Sequence, residues 1–80
     1  MSRTITFDNG GTRQIRRYRF TDGTRLSKEA QATLKSAIEG IEGVFRVSTG
    51  DGGAQVEIFS NEFWSKIEPD VRTAMLDVKP

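Results

Sequence analysis

Two glycine-rich turns divide this chain into pairs of short alternating segments. The stretches DNGGT (8–12) and GDGG (50–53) supply residues that tolerate positive φ, as a tight reversal between two strands requires. The flanking segments alternate apolar with polar residues and are rich in β-branched and aromatic residues, and in the third of them Phe45 and Val47 share a face. These segments are 3–7, 13–20, 44–49 and 54–59. The sequence therefore predicts two β-hairpins.

The second of these segments, RQIRRYRF (13–20), has an irregular apolar pattern. In a regular strand Ile15 falls on one face, whereas Tyr18 and Phe20 fall on the other. A β-bulge near residues 16–17 would turn all three apolar side chains towards the core. We therefore expect a bulge in this strand.

From Ser27 onwards the apolar residues change to helical spacing. One stripe is formed by Ala30, Leu34, Ala37, Ile38 and Ile41. Ser27 is a suitable N-cap for this helix. Two endings fit the sequence: the helix ends with Gly40 in the left-handed conformation, or it runs on through Ile41 and breaks at Gly43.

Residues 60–76 also carry apolar side chains at helical spacing, with Ser60 and Asn61 as candidate capping residues. Pro69 lacks an amide hydrogen and its ring clashes with the preceding turn inside a helix. The sequence therefore predicts a short helical turn at 61–67, followed by a second segment that has Pro69 in its first turn.

The predicted order of elements is β-β-α-β-β-α. It indicates a single α+β domain, residues 1–80, with a four-stranded antiparallel sheet that carries both helices on one face and leaves the other face open. No segment is apolar over the length that a membrane span needs, and the first residues do not resemble a signal peptide. We expect a cytoplasmic protein without a membrane partner.

The composition restricts the chemistry that the chain can perform. It has no cysteine and no histidine, which excludes disulfides, thiolate metal sites, a cysteine nucleophile and the usual general base near neutral pH. A mechanism based on two carboxylates would need a pocket that so small a domain seldom has. We therefore expect a non-enzymatic function without a cofactor or metal.

Positive charge is concentrated in the first third of the chain. Residues 1–25 carry a net charge of +4 and residues 26–80 a net charge of −3. Arginines and aromatic residues alternate closely in 13–20, a pattern that could contact phosphates and stack a base. The candidate contact residues are Arg13, Arg16, Arg17, Tyr18 and Arg19. The alternative is a solvated strand whose arginines pair with acidic residues elsewhere and discourage edge-to-edge aggregation.

Phe63 and Trp64 form a second candidate contact. Tryptophan is enriched at the energetic centres of protein interfaces, and Phe63 beside it is a candidate contact with a partner protein. The alternative is that Trp64 anchors the last helix on the sheet, with Phe63 partly exposed.

Three segments share a pattern with a known family: IEGVFRV (41–47), QVEIF (55–59) and FWSKIEPDVRTAM (63–75). A helix runs into Ile-x-Gly-Val, a hairpin follows, and a proline stands five residues after a tryptophan. The residues at these positions are Ile41, Gly43, Val44, Trp64 and Pro69. Residues 34–76 thereby resemble the N-terminal domain of Nfu-type (NifU-type) iron–sulfur cluster scaffold proteins. The resemblance implies an α+β accessory domain that contacts a partner. It does not imply cluster binding, because the Cys-x-x-Cys domain of that family has no counterpart here.

The leading prediction is thus a protein-binding module that acts through a partner protein, with a link to iron–sulfur cluster assembly. A small domain of this kind equally suits a phage- or mobile-element-encoded inhibitor of a host complex, similar to anti-CRISPR proteins. A nucleic-acid-binding domain that uses residues 13–20 is the remaining alternative.

Overall fold

The computed structural model describes residues 3–80 and has the predicted order of elements. The strands and helices are β1 (Ile5–Asn9), β2 (Ile15–Phe20), α1 (Lys28–Glu39), β3 (Val44–Gly50), β4 (Gln55–Ser60) and α2 (Trp64–Asp77). A short 3₁₀ turn, Asp51–Gly53, joins β3 to β4. The predicted α+β fold is confirmed.

The four strands form one antiparallel sheet in the order β1-β2-β4-β3. Each hairpin pairs strands that are neighbours in sequence, and the two hairpins join through β2 and β4, where Tyr18 lies opposite Val56. Strands β1 and β3 are the two edges of the sheet.

Both helices pack on one face of this sheet and form a single hydrophobic core with it. The sheet contributes Tyr18, Phe20, Val47, Val56 and Ile58, and the helices contribute Leu34, Ile38, Ile67, Val71 and Met75. Because side chains alternate along a strand, the residues that stand between these core residues point to the opposite, open face. No helix within residues 3–80 has the length and apolar character that crossing a membrane requires.

Strand β2 is regular, so the predicted bulge at residues 16–17 is wrong. The pairing of β2 with β1 and with β4 runs without interruption. Ile15 therefore lies on the open face, and Arg16 shares the core-facing side with Tyr18 and Phe20. The strand tolerates an inward arginine because the Glu68 carboxylate and the Tyr18 hydroxyl accept hydrogen bonds from its guanidinium.

The irregularity lies in β3 instead, where the register shifts between Val44 and Arg46. Phe45 is the extra residue of this bulge. The bulge lets Val44 and Val47 both face the core although they stand three residues apart. Phe45 consequently does not share a face with Val47, as the alternation predicted, and its ring lies 6.0 Å from that of Phe59 on the open face.

Helix α1 begins as predicted and ends in a way that combines the two predicted endings. The Ser27 hydroxyl accepts a hydrogen bond of 3.1 Å from the Ala30 amide. Gly40 caps the helix in a right-handed conformation, with φ −77°. The left-handed residue is Gly43, with φ +96°, where a Cβ atom would collide with the side chain of Glu62. The chain therefore reverses only after residue 41.

Helix α2 runs from Trp64 to Asp77 without a break, so the predicted division at Pro69 is wrong. Pro69 and Ser65, the residue that loses its hydrogen-bond partner, are both exposed. Water can therefore replace the missing donor. Burial of Ile67 and Val71 on the opposite side of the helix favours one continuous helix across the proline.

The start of α2 also differs from the prediction, since neither Ser60 nor Asn61 caps it. Phe63 occupies the N-cap position and forms no side-chain hydrogen bond there. The Ser60 hydroxyl instead accepts a 2.9 Å hydrogen bond from the Glu62 amide in the connection before the helix.

Candidate protein-binding surface

The arginines of β2 point to opposite faces of the sheet. Arg16 lies opposite Ile58 on the side that carries the helices, whereas Arg17 lies opposite Glu57 on the open face. Arg19 follows Arg17 on the open face. The arginine strand predicted from the sequence therefore does not present one continuous basic surface.

Arg16 joins the first hairpin to α2. Its guanidinium donates hydrogen bonds of 2.9 Å to a Glu68 carboxylate oxygen and of 3.3 Å to the Tyr18 hydroxyl. The guanidinium carbon lies 3.8 Å from the centroid of the Phe7 ring and 5.0 Å from that of Trp64. Only 17% of the Arg16 side chain is exposed. Its role is to hold these elements together.

Tyr18 is fully buried beside Arg16, so its ring has no free face on which a base could stack. Burial raises the pKa of the Tyr18 hydroxyl, and the hydrogen bond from Arg16 opposes this effect. The pKa of Glu68 is lowered, first by a hydrogen bond from Arg72 and then by Arg16, against an opposing effect of burial. Arg16, Tyr18, Glu68 and Arg72 thus form one network of hydrogen bonds and charges within the chain.

The arginines on the open face are also paired. Arg17 Nε lies 2.8 Å from a Glu57 carboxylate oxygen, which raises the pKa of Arg17. Arg19 lies 3.4 Å from Asp51 and donates a 2.6 Å hydrogen bond to the side chain of Gln55. Arg16, Arg17 and Arg19 therefore each have a carboxylate partner within the chain, and Arg17 and Arg19 are solvated as the alternative to nucleic-acid binding expects.

Aromatic side chains collect at one end of the sheet, where β2 and β3 begin and β4 ends. We call this surface the aromatic end; it comprises Ile15, Phe45, Arg46, Phe59 and Phe63. Phe59 lies between Ile15 and Arg46 on the open face. Phe45 is 55% exposed, and Phe63, just beyond β4, is 79% exposed.

Hydrogen bonds hold the segments of the aromatic end together. The Asn61 amide donates a 2.9 Å hydrogen bond to the Gly43 carbonyl, and the Trp64 indole N–H donates one of 2.6 Å to the Arg13 carbonyl. Trp64 also packs against the core. Trp64 therefore anchors α2, while Phe63 beside it faces solvent.

Arg46, within the aromatic end, and Arg13, beside it, differ from the arginines of β2 in their charge pairing. Within residues 3–80, neither Arg46 nor Arg13 lies within 4.0 Å of a carboxylate. The Arg46 guanidinium carbon is 5.2 Å from the centroid of the Phe59 ring. Arg13 lines an open cleft of about 300 Å³ together with Phe63 and Trp64. These are the free cations beside the exposed aromatic rings.

Of the residues predicted as contacts, Phe63 belongs to the aromatic end and Arg13 lies beside it. Sequence reasoning missed Phe45, Arg46 and Phe59. Alternation failed for Phe45 because the bulge places its side chain on the face opposite to the one that alternation assigns. Phe59 carried a readable signal, because an aromatic residue stands on the polar face of a strand whose other face is apolar.

Comparison of the chain with models of protein families, with curated proteins and with solved structures found no match. The resemblance of residues 34–76 to the Nfu N-terminal domain therefore stays a prediction, based on the residues that carry it.

Proposed function

We propose that this domain is a non-enzymatic protein-binding module and that the aromatic end is its contact surface. The observation that carries the proposal is the exposed Phe45 ring 6.0 Å from that of Phe59, with the Arg46 guanidinium carbon 5.2 Å from the Phe59 centroid. Phe63, just beyond the end of β4, is more exposed still. Aromatic residues and arginine are enriched at the centres of protein interfaces. Contiguous exposed apolar surface on a small soluble domain marks such an interface.

The surroundings support a protein partner. On the open face, Arg17 and Arg19 are neutralised by carboxylates of the same chain, so this region suits the polar rim of an interface. Burying one phenylalanine side chain contributes about 1.5–3 kcal/mol. Two exposed phenylalanines that a partner covers would therefore supply a large part of its affinity.

The two protein-binding alternatives share this surface and differ in the partner. The Nfu resemblance proposes a partner from iron–sulfur cluster assembly that itself has the cysteines. The inhibitor alternative proposes a subunit of a host complex. The nucleic-acid alternative requires free arginines on 13–20, where three arginines are already paired.

The test is capture of partners from the native lysate on the immobilised chain, with and without nuclease, followed by mass spectrometry. A Phe45→Ser, Phe63→Ser double variant removes the exposed rings. Leu76→Ser is the matched control, since Leu76 is 48% exposed on α2 and lies outside the aromatic end. Circular dichroism and thermal unfolding establish that each variant is folded.

We expect the wild-type chain and Leu76→Ser to retain the same protein after nuclease treatment. The double variant should retain at most roughly one tenth of the amount of this protein that the wild type retains. Equal retention by the double variant contradicts the proposal. Retention that disappears with nuclease or moderate salt contradicts it as well and favours nucleic acid.

A further inference from the structure

Strand β1 is a short edge strand that lacks several of the devices that usually protect an edge, and Asp8 is its charged residue. It pairs with β2 alone, in a regular register over Ile5–Asn9. Natural edges are commonly blunted by lysine, proline or a bulge. The opposite edge, β3, has its bulge at Phe45. β1 has none of these devices, and its residues 6–9 are exposed.

The hydrogen bonds at the two ends of β1 show which of its backbone groups point outward. The Thr21 amide donates to the Thr4 carbonyl at 2.8 Å, and the Gly10 amide donates to the Ile15 carbonyl at 2.9 Å. Bonded positions alternate in an antiparallel pair. Even-numbered residues of β1 therefore bond to β2, and odd-numbered residues turn their N–H and C=O groups away from it. The outward residues are Ile5, Phe7 and Asn9.

We propose that β1 pairs antiparallel with β1 of a second copy of this chain, with the two Phe7 residues directly opposite each other. In this register Ile5 of each copy lies opposite Asn9 of the other. Every outward N–H and C=O group of both strands then has a partner. The two sheets become one continuous sheet.

The faces and charges of β1 select this register. A slip by one residue would put the core-facing side chains of one copy on the same face of the joined sheet as the open-face side chains of the other. A slip by two residues in one direction brings Asp8 opposite Asp8, and like charges directly opposite are destabilising. A slip by two in the other direction moves Asn9 opposite Arg3, which lies outside the strand.

Phe7 also gains from the pairing. Its ring packs on Arg16 and lies 5.4 Å from the ring of Tyr18, yet 37% of the residue is exposed. In the paired sheet the two Phe7 side chains become cross-strand neighbours on the helix-bearing side. Aromatic cross-strand pairs of this kind stabilise sheets.

The pairing is independent of the proposed function, because β1 contributes no residue to the aromatic end. A dimer would present two aromatic ends, and binding to a partner with two sites would gain from their linkage. A variant that stays monomeric and still captures the partner would show that partner binding does not depend on the dimer.

The test is the mass of the chain in solution, measured by light scattering and sedimentation over a range of concentrations. Phe7→Glu places like charges opposite each other in the dimer and gives Arg16 a carboxylate neighbour within one chain. Leu76→Glu is the control, since it adds the same charge to an exposed apolar position on α2. We expect wild type and Leu76→Glu to have twice the chain mass and Phe7→Glu to have the mass of one chain.

If Phe7→Glu does not fold, amide hydrogen exchange of the wild type tests the proposed pairing of β1. The Phe7 and Ile5 amides should exchange more slowly as the concentration rises, because dimerisation covers them. A chain that stays monomeric at every concentration overturns the proposal. So does a dimer whose Phe7 amide keeps the same exchange rate, since it must form through another surface.

Discussion

The adjacent arginines of β2 provide a direct test of the fold, because the same substitution should destabilise the domain strongly at one and hardly at the other. Arg16 faces the core between Phe7 and Trp64 and bonds to Glu68. Arg17 faces solvent and bonds to Glu57. Replacing either residue by alanine removes the same side chain from the same strand.

The expected magnitude for Arg16→Ala follows from the contacts that it removes. A charge-assisted hydrogen bond such as the one to Glu68 contributes about 1.5–3 kcal/mol, and a largely desolvated cation–π contact such as the one on Phe7 contributes about 1–2 kcal/mol. Glu68 keeps its hydrogen bond from Arg72, so no uncompensated carboxylate is left. Allowing for non-additivity, we expect a loss of about 2–4 kcal/mol.

Thermal and urea unfolding measure this loss. In a domain of this size about 1 kcal/mol corresponds to roughly 4–8 °C in Tm, so Arg16→Ala should lower Tm by roughly 8–32 °C. Arg17→Ala should leave Tm nearly unchanged, because exposed ion pairs contribute little. Arg16→Met keeps the apolar stem between the rings and should recover part of the loss. Equal, small effects of both alanine substitutions would refute the inward placement of Arg16.

The other predictions concern pH and backbone geometry. Since Arg72 holds the pKa of Glu68 below its ordinary value of 4.5, this carboxylate stabilises the fold above that pH, and its contribution is lost as the pH falls through the lowered pKa. Urea unfolding from pH 7 to 3 should show this decline, and Glu68→Gln should flatten it; an unchanged slope would contradict the assignment. Gly53 has φ +93°, and a Cβ there would collide with the backbone of Leu26, whereas Gly11 has φ +98° and no atom within 4 Å of such a Cβ. Gly53→Ala should therefore destabilise the domain well beyond the cost of roughly 1 kcal/mol for Gly11→Ala, as thermal unfolding can show.

The elements of this fold could be predicted because local chemistry specifies them. The turns at 8–12 and 50–53 and the cap at Ser27 act within a few residues of their own position. The continuity of α2 could not be predicted in this way. Pro69 argues locally for a break, and the burial of the opposite helix face overrides it.

The candidate surface was harder to predict, because it depends on which face each side chain takes. A regular β2 turns Arg16 inward, and its acceptor Glu68 stands far along the chain on α2. The bulge in β3 places Phe45 on the open face. Both outcomes result from pairing between distant segments, which alternation within one strand does not reveal. Phe63 was identified as a candidate contact because it stands beside Trp64, a residue type that is enriched at interfaces.

The strand order has a consequence for how the domain folds. Each hairpin closes over a short stretch of chain, but the central pair of strands joins Arg19 to Gln55 across α1 and half of the second hairpin. Contacts between residues far apart in sequence slow folding, because the intervening loop must be closed before the contact is gained. The two hairpins can therefore form early and separately, and the docking of β2 on β4 becomes the late step. We therefore expect substitutions on that seam, such as Val56→Ala, to slow folding, as refolding kinetics can show.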